Sequence, residues 1–473
     1  MLREPAEITQ VVDAFDEGDA FDLNLSLGFE SSRRSATILR EGPTDQLSTS
    51  GYTHRLLKVA RYESTINRLT AKAELGVFQD IALIMRLPIV LSHSQKLSSL
   101  DGSAAQQSAL LQGLPGEQLF RVPFQAPTRS GIEYLALGVD VGLMNQTRDA
   151  ARPTWVVGIE GRFDVSEPMR ACNDGGEPLN QSGPQKRCAH PSDVDRNGVS
   201  APSAGAAADE GDFSGEPSPG VSRGVTGVEL HTYLSRRAKY VEPYAGLRAL
   251  FEFAGADRDF GAVDTGGSLI SHPPFRATML VGVNVIPWEI RDRFQRVTLD
   301  FRFTGTYVSE GRDYSELFDA LGSSDAPSLR RPNYSQYVAN PDPTTAGVAP
   351  SVVDPSSRAV YFTGLTDIQQ HGTYLLSSSF TWQAGEFVKF NLGTALSLTQ
   401  GHFLTFDPAC DSEFDDDLAK SGYCRAPATG GERQRSTGVP NPNYRPVLNE
   451  PGHRMKVDDS MGLDAWLNAT VLF

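Results

Sequence analysis

The chain is 473 residues long, 39% hydrophobic, and carries a formal net charge of -15 with a pI near 5.1, a balance that argues against nucleic acid as a partner. That length would suit two or three soluble domains, yet a mean hydropathy of -0.30 equally suits a membrane barrel whose lumen and loops are polar. No run of about 18 uncharged apolar residues occurs, so the sequence holds no transmembrane helix.

Residues 1–19 form an acidic segment in which Asp13, Asp16, Glu17 and Asp19 lead up to Asp22. It reads as a solvated periplasmic tail; a plug in a lumen, a cation site and a contact for a periplasmic protein are the alternatives. Met1-Leu2-Arg3-Glu4-Pro5 opens no signal peptide, since no basic start is followed by an apolar stretch. The sequence therefore reads as a mature form, or as one whose leader Met1 replaces.

From Phe21 the chain alternates: Phe21, Leu23, Leu25, Leu27 and Phe29 are separated by Asp22, Asn24, Ser26 and Gly28. Period two with one uncharged face marks a strand whose other face is wet. Such segments follow one another over 20–30, 66–78, 81–92, 132–144, 154–165, 225–235, 239–253, 275–287, 294–307, 371–382, 387–400 and 458–473. Each is close to the length a tilted strand needs to cross a hydrocarbon layer. Short turns alternate with long connections at 31–65, 93–131, 166–224, 254–274, 308–370 and 401–457. The predicted fold is all-β: over 20–473, a transmembrane antiparallel up-and-down barrel of about 12 strands, with short periplasmic turns and long extracellular loops. Lipid forces such a sheet to close, because an open edge strands backbone groups at several kcal/mol each. A soluble β-sandwich is the rival, but it requires neither uniform strands nor strict alternation of loop lengths.

Ala36 and Ile38, then Leu57 and Val59, continue the alternation, so the first two strands are expected to run on as a hairpin with its tip near Glu41-Gly42-Pro43-Thr44. Cys172 and Cys188 share one long loop and Cys410 and Cys424 another. Each pair is expected to close a local disulfide worth roughly 3 kcal/mol in an oxidising compartment. Neither has C-x-x-C spacing, and only His190 lies near, so metal binding is disfavoured. Asp193-Val194-Asp195-Arg196-Asn197-Gly198 has the order of a calcium loop, with Asp193, Asp195 and Asn197 as the ligands. Ala204 stands where that loop needs a bidentate Glu, so a polar turn is the preferred reading and no cofactor is expected.

The last strand places Leu463, Ala465, Leu467, Ala469, Val471 and Phe473 on one face and ends with the chain. Here the sequence resembles the bacterial outer-membrane β-barrel superfamily, the porin-like channels among them. In that superfamily a terminal aromatic on the last strand is the mark read by the assembly machinery; Phe473, with Val471 and Leu467 behind it, matches. The resemblance implies an outer-membrane location, lipid around the wall and the assembly machinery as a partner in biogenesis. Phe29, Trp155, Phe163, Phe251, Phe253, Tyr307, Tyr374 and Trp382 fit aromatic girdles at strand ends.

The opposite phase gives the lumen: Arg68, Lys72, Glu74, Arg86, Asp140, Glu160, Arg162, Asp164, Glu229, His231, Glu242, Arg248, Glu252, Arg276, Arg296, Asp300, Arg302 and Lys389. In one reading these groups line water, with Arg248, Arg276 and Arg302 as a basic wall that selects small polar or charged solutes. In the other, opposite charges pair and fill the interior. Inward Gly76, Gly138, Gly142, Gly158, Gly246, Gly282 and Gly393 favour open space, while Tyr134, Tyr233, Tyr240 and Tyr244 narrow it. The expected function is a channel for small polar solutes. The alternatives are a plugged barrel whose loops bind an extracellular or periplasmic partner, and a phospholipase-type enzyme. For the enzyme, Ser92-His93-Ser94 and Ser271-His272 are the nearest candidates, without the His-x-Ser-Asn arrangement of outer-membrane phospholipases.

Overall fold

A computed structural model of the protein describes residues 7–12, 14, 22–42, 47–48, 51–52, 55–100, 110–113, 117–173, 218–254, 270, 272–324, 326–329, 331–332, 359–360, 362–408, 410–411, 439–441 and 443–473. Twelve long strands make one sheet: β1 (Leu23–Gly42), β2 (Arg55–Phe78), β3 (Ile81–Ser98), β4 (Leu135–Met144), β5 (Thr154–Phe163), β6 (Val225–Ser235), β7 (Val241–Ala254), β8 (Arg276–Ile290), β9 (Gln295–Val308), β10 (His371–Gln383), β11 (Val388–Thr399) and β12 (Met455–Leu472). Each pairs antiparallel with the next, and β12 returns to pair with β1, so the sheet is a closed barrel. The closing seam includes the last residue, since the Leu23 and Phe473 backbones exchange hydrogen bonds of 3.1 and 2.9 Å.

The outer wall is apolar. Leu27, Leu247, Leu376, Leu392 and Leu467 are each more than half exposed, with Phe29, Trp155, Tyr374, Trp382 and Phe473 towards the strand ends. A belt of this extent far exceeds the few hundred Å² of contiguous apolar patch that a soluble monomer exposes. Among the described residues no helix is long and apolar enough to cross a membrane; the strands are what cross.

Three expectations about the ends of the barrel need correction. Residues 31–65 are for the most part strand rather than loop, because β1 runs to Gly42 and β2 starts at Arg55, the hairpin extension that Ile38 and Val59 point to. Both of those side chains are fully buried. The long connections also differ from a polar fringe. Leu119 and Phe120, Leu317, Leu321 of the short helix α1 (Phe318–Gly322), Phe362, Leu404 and Leu448 of α2 (Pro446–Asn449) form one apolar core with Ile38, Val59 and Met455. The loops thus fold into a cap on the extracellular end. At the other end the N-terminal segment is not a free tail where it is described: Ile8 packs against the buried cluster of Tyr244 and Leu280, and Val12 and Ala14 are buried.

Leu247 sits mid-strand on the lipid face of β7 and is 56% exposed. Leu247→Arg is expected to lower folding stability in lipid vesicles by about 2–4 kcal/mol, the cost of a midplane arginine. Urea titration of the reconstituted protein measures it.

Candidate functional site

Side chains out of phase with the apolar belt point into the barrel, and most of their charges meet partners there. Arg68 on β2 holds Glu133 at 2.9 Å and Glu30 at 3.4 Å, and Lys72 holds Glu74 at 2.6 Å. Arg86 on β3 pairs with Glu160 on β5, which Arg162 also holds at 2.9 Å; Arg162 reaches on to Glu229 of β6 at 2.5 Å. Both guanidinium groups lie over the Tyr134 ring, at 5.9 and 5.4 Å. His231 Nε2 is 2.9 Å from Asp140 Oδ1 although β5 runs between their strands. Gly158 is the residue opposite both, and a Cβ there would overlap the carboxylate and the imidazole.

Three further inward glycines act in the same way, which corrects their reading as open space. Tyr233 lies over Gly246, Tyr244 over Gly282 and Trp466 over Gly393, so each glycine seats a large neighbour. The basic wall is also corrected. Arg276 stands opposite Val308, Arg248 opposite Thr278 and Arg302 opposite Gly282, so the three are staggered along β8 by roughly 20 Å at about 3.3 Å per residue. Two of them are paired: Arg276 with Asp313 at 3.2 Å and Glu252 at 3.7 Å, and Arg302 with Asp300 at 3.2 Å. Arg223, just ahead of β6, completes the upper cluster by holding Glu252 and Asp313 at 2.6 and 2.7 Å.

Part of the interior stays open. A cavity of about 440 Å³ lies between β7–β9 on one side and β10–β12 on the other. Its first wall carries Arg248, Asp300 and Arg302, with the Tyr244 hydroxyl donating to Asp300 at 2.5 Å and accepting from Arg302 Nε at 2.8 Å. The second wall is hydroxyl and amide: Ser377, Ser379, Thr381, Asn391 and Asn468, with Trp466 donating to Asn391 at 2.7 Å. Residues of the N-terminal segment close its periplasmic side. Lys389 donates to Gln10 at 3.2 Å, and Thr9 and Ser235 hydroxyls meet at 2.8 Å, with Ser235 donating to Glu242. Alternation alone finds the charged wall. It gives no reason to single out the Ser, Thr and Asn wall or Ile8 and Gln10, which carry no charge and stand in no motif.

Above the cavity, the β9–β10 connection crosses to the far side of the ring. Its Asp319 takes a two-pronged contact from Arg129, which precedes β4, at 2.9 and 2.5 Å. Both side chains are almost fully buried, at 1% and 4% exposure. Arg129 also donates to the Arg170 carbonyl, and Asp319 accepts the Cys172 backbone N–H, so the pair joins three connections. Arg40 at the top of β1 ties others, donating to the carbonyls of Leu110, Gln112 and Val447. Nearby, burial and the Asp407 carboxylate push the Asp367 carboxyl well above the usual range, which Arg312 at 3.8 Å only partly offsets. Cys188, Cys424, Asp193, Asp195 and Asn197 lie outside the described residues, as does the side chain of Cys410, so the expected disulfides and calcium loop are not described. Among the described residues no group of three or more His, Cys, Asp or Glu is arranged to hold a metal ion.

A closed twelve-stranded antiparallel wall, lipid-facing outside and charged within, defines a transmembrane β-barrel of the bacterial outer-membrane type. No protein-family model and no curated protein matches the chain. Among solved structures it is similar to an outer-membrane channel from Pseudomonas putida F1, at 8% identity over 95% of this chain and 96% of that one, with a TM-score of 0.32. It is also similar to a Pseudomonas aeruginosa FadL homologue (10% identity, 99% and 93% covered, TM-score 0.31). A third is the outer membrane protease OmpT from Escherichia coli (7%, 96% and 96%, 0.26). Likenesses at this level say nothing of solute or chemistry.

Two expectations follow from the cap. Asp319→Asn leaves the buried Arg129 charge uncompensated, a loss of about 3–5 kcal/mol that limited proteolysis of the cap would register. The Asp367 carboxyl binds its proton more tightly folded than unfolded, so its contribution is complete below the ordinary aspartate value and is lost as pH rises through the raised one. The cap is therefore expected to resist protease better at about pH 5 than at about pH 8, and Asp367→Asn to retain the acid-side resistance at both.

Proposed function

We propose that the protein is an outer-membrane channel for passive diffusion of small polar or charged solutes, held narrow by its own N-terminal segment and by the β9–β10 connection. The observation that carries this reading is the polar cavity of about 440 Å³ inside a closed barrel, within the roughly 300–1,000 Å³ typical of small-molecule sites. An interior meant only as filler would not leave hydroxyls, amides and cations facing a void of that size. The neighbouring ion pairs, in near balance across β3–β6, stiffen the rest of the lumen without opening it.

The packed cap favours a second reading, a plugged barrel whose extracellular surface meets a partner, because loops that only fringe a pore need no apolar core. A catalytic reading has less support. His93 Nε2 faces the Ser64 hydroxyl at 3.3 Å and the Gln95 amide at 2.8 Å. A serine-activating histidine needs an orienting carboxylate instead.

Planar-bilayer recording decides between the first two readings. The full chain is expected to give small, discrete current steps, and a chain lacking residues 1–14 steps several-fold larger. Silence from both folded proteins would overturn the channel.

A further inference from the structure

We infer that the outer wall of the barrel carries a binding site for a fatty-acyl chain of an extracellular-leaflet lipid, on the face of β6–β10 turned away from the lumen. A concavity of about 900 Å³ lies there, near the top of the roughly 300–1,000 Å³ range of small-molecule sites. It runs across five strands, since its lining residues Leu230, Ala249, Ala277, Tyr307 and Gly372 are successive register partners from β6 to β10. Four strand spacings of about 4.8 Å give it a length of about 19 Å, a little over half of the roughly 30 Å hydrocarbon core. These residues share the phase of Leu247, Met279 and Tyr374, which also line it and are 56%, 53% and 43% exposed, so the concavity opens outward. Thr278 and Thr306, in the opposite phase, turn the other way, and their hydroxyls meet at 3.0 Å.

The occupant follows from where the concavity sits. It interrupts the apolar belt, so the wall around it already faces lipid, and a hydrocarbon chain is the filling that continues that interface. Ala249, Ala277 and Gly305 are the short residues of its floor, with Leu247, Met279 and Tyr374 standing beside them. A Cβ at Gly305 would meet nothing nearer than the Phe303 and Tyr374 rings at 3.9 Å. A chain laid in the hollow touches wall on several sides, which gains dispersion contacts that a chain against a convex wall lacks. At the end under the cap, where β9 stops at Val308 and β10 starts at His371, the rim carries two amides and two phenols. Tyr307 donates to Gln370 Oε1 at 2.9 Å, and Gln400 donates to the Tyr374 hydroxyl at 3.0 Å, so both amides are held at the rim. Gln370 Nε2 has no partner among the described residues and supplies a donor for the ester or amide carbonyl at the head of an acyl chain. A second copy of the barrel fits less well, because a two-fold contact sets this hollow against itself.

The test adds 1-palmitoyl-2-oleoylphosphatidylethanolamine to the folded full-length protein in detergent and counts adducts by native mass spectrometry. Glycerophosphoethanolamine, the same headgroup without chains, is the comparison. One phospholipid is expected to bind saturably ahead of the rest, and the chainless headgroup not at all. Gly305→Leu and Ala277→Leu fill the hollow from its floor, and each is expected to weaken that first adduct about tenfold, the effect of denying burial to about two methylene groups. Later adducts are expected to stay unchanged, and the mobility shift of an unheated barrel on a gel reports that each variant is folded. A ladder of adducts identical in the wild type and both filled variants would overturn the inference, as would equal binding of the chainless headgroup. A dimer abolished by the same substitutions would give the face to a second copy and overturn it too. None of these outcomes depends on conductance, so the channel reading stands or falls separately.

Discussion

Everything in this molecule depends on one constraint, that no backbone N–H or C=O may face lipid unpaired. The β1–β12 seam meets it, and the exchange between Leu23 and Phe473 carries the pairing to the end of the chain. Once the sheet is closed, the pleat decides the rest. Alternate side chains must be apolar outside, and every charge the strands carry is delivered into a confined interior, where an unpaired ion is expensive.

The interior divides along that logic. Across β3–β6, arginines and glutamates alternate closely enough to neutralise one another, with Tyr134 beneath the guanidinium groups and Gly158 making room for the Asp140–His231 contact. Across β10–β12, neutral Ser, Thr and Asn leave the lumen open, and Arg248 and Arg302 of β7 and β9 overlook it. The two ends are managed by different chemistry. An apolar core fastened by Arg129–Asp319 and Arg40 covers the extracellular mouth, while short polar contacts and Ile8 hold the N-terminal segment at the periplasmic one.

The barrel was legible in the sequence because period two repeats over each strand, and the segments expected at 225–235 and 371–382 differ from β6 and β10 by at most one residue. The cap was not. Leu317, Phe362 and Leu448 come from three separate stretches with no common period, and only their packing makes them a core. The acidic residues before Asp22 likewise masked Ile8, Val12 and Ala14, whose burial depends on a mouth the sequence does not show. The lumen charges could be named one by one, yet their partners follow from register. For that reason Arg302, close to Arg248 and Arg276 in strand order, stands about 13 and 20 Å from them in height at about 3.3 Å per residue.

The chain's own N-terminal segment sits inside the barrel mouth. A Thr9→Cys, Ser235→Cys pair tests it most directly, since the native hydroxyls are 2.8 Å apart and the substituted sulfurs fall within bonding reach. Oxidation of the folded protein in outer-membrane vesicles, read by the mass of the linked peptide, is expected to join the two in most molecules. Full recovery of unlinked peptides from a correctly folded barrel would contradict it.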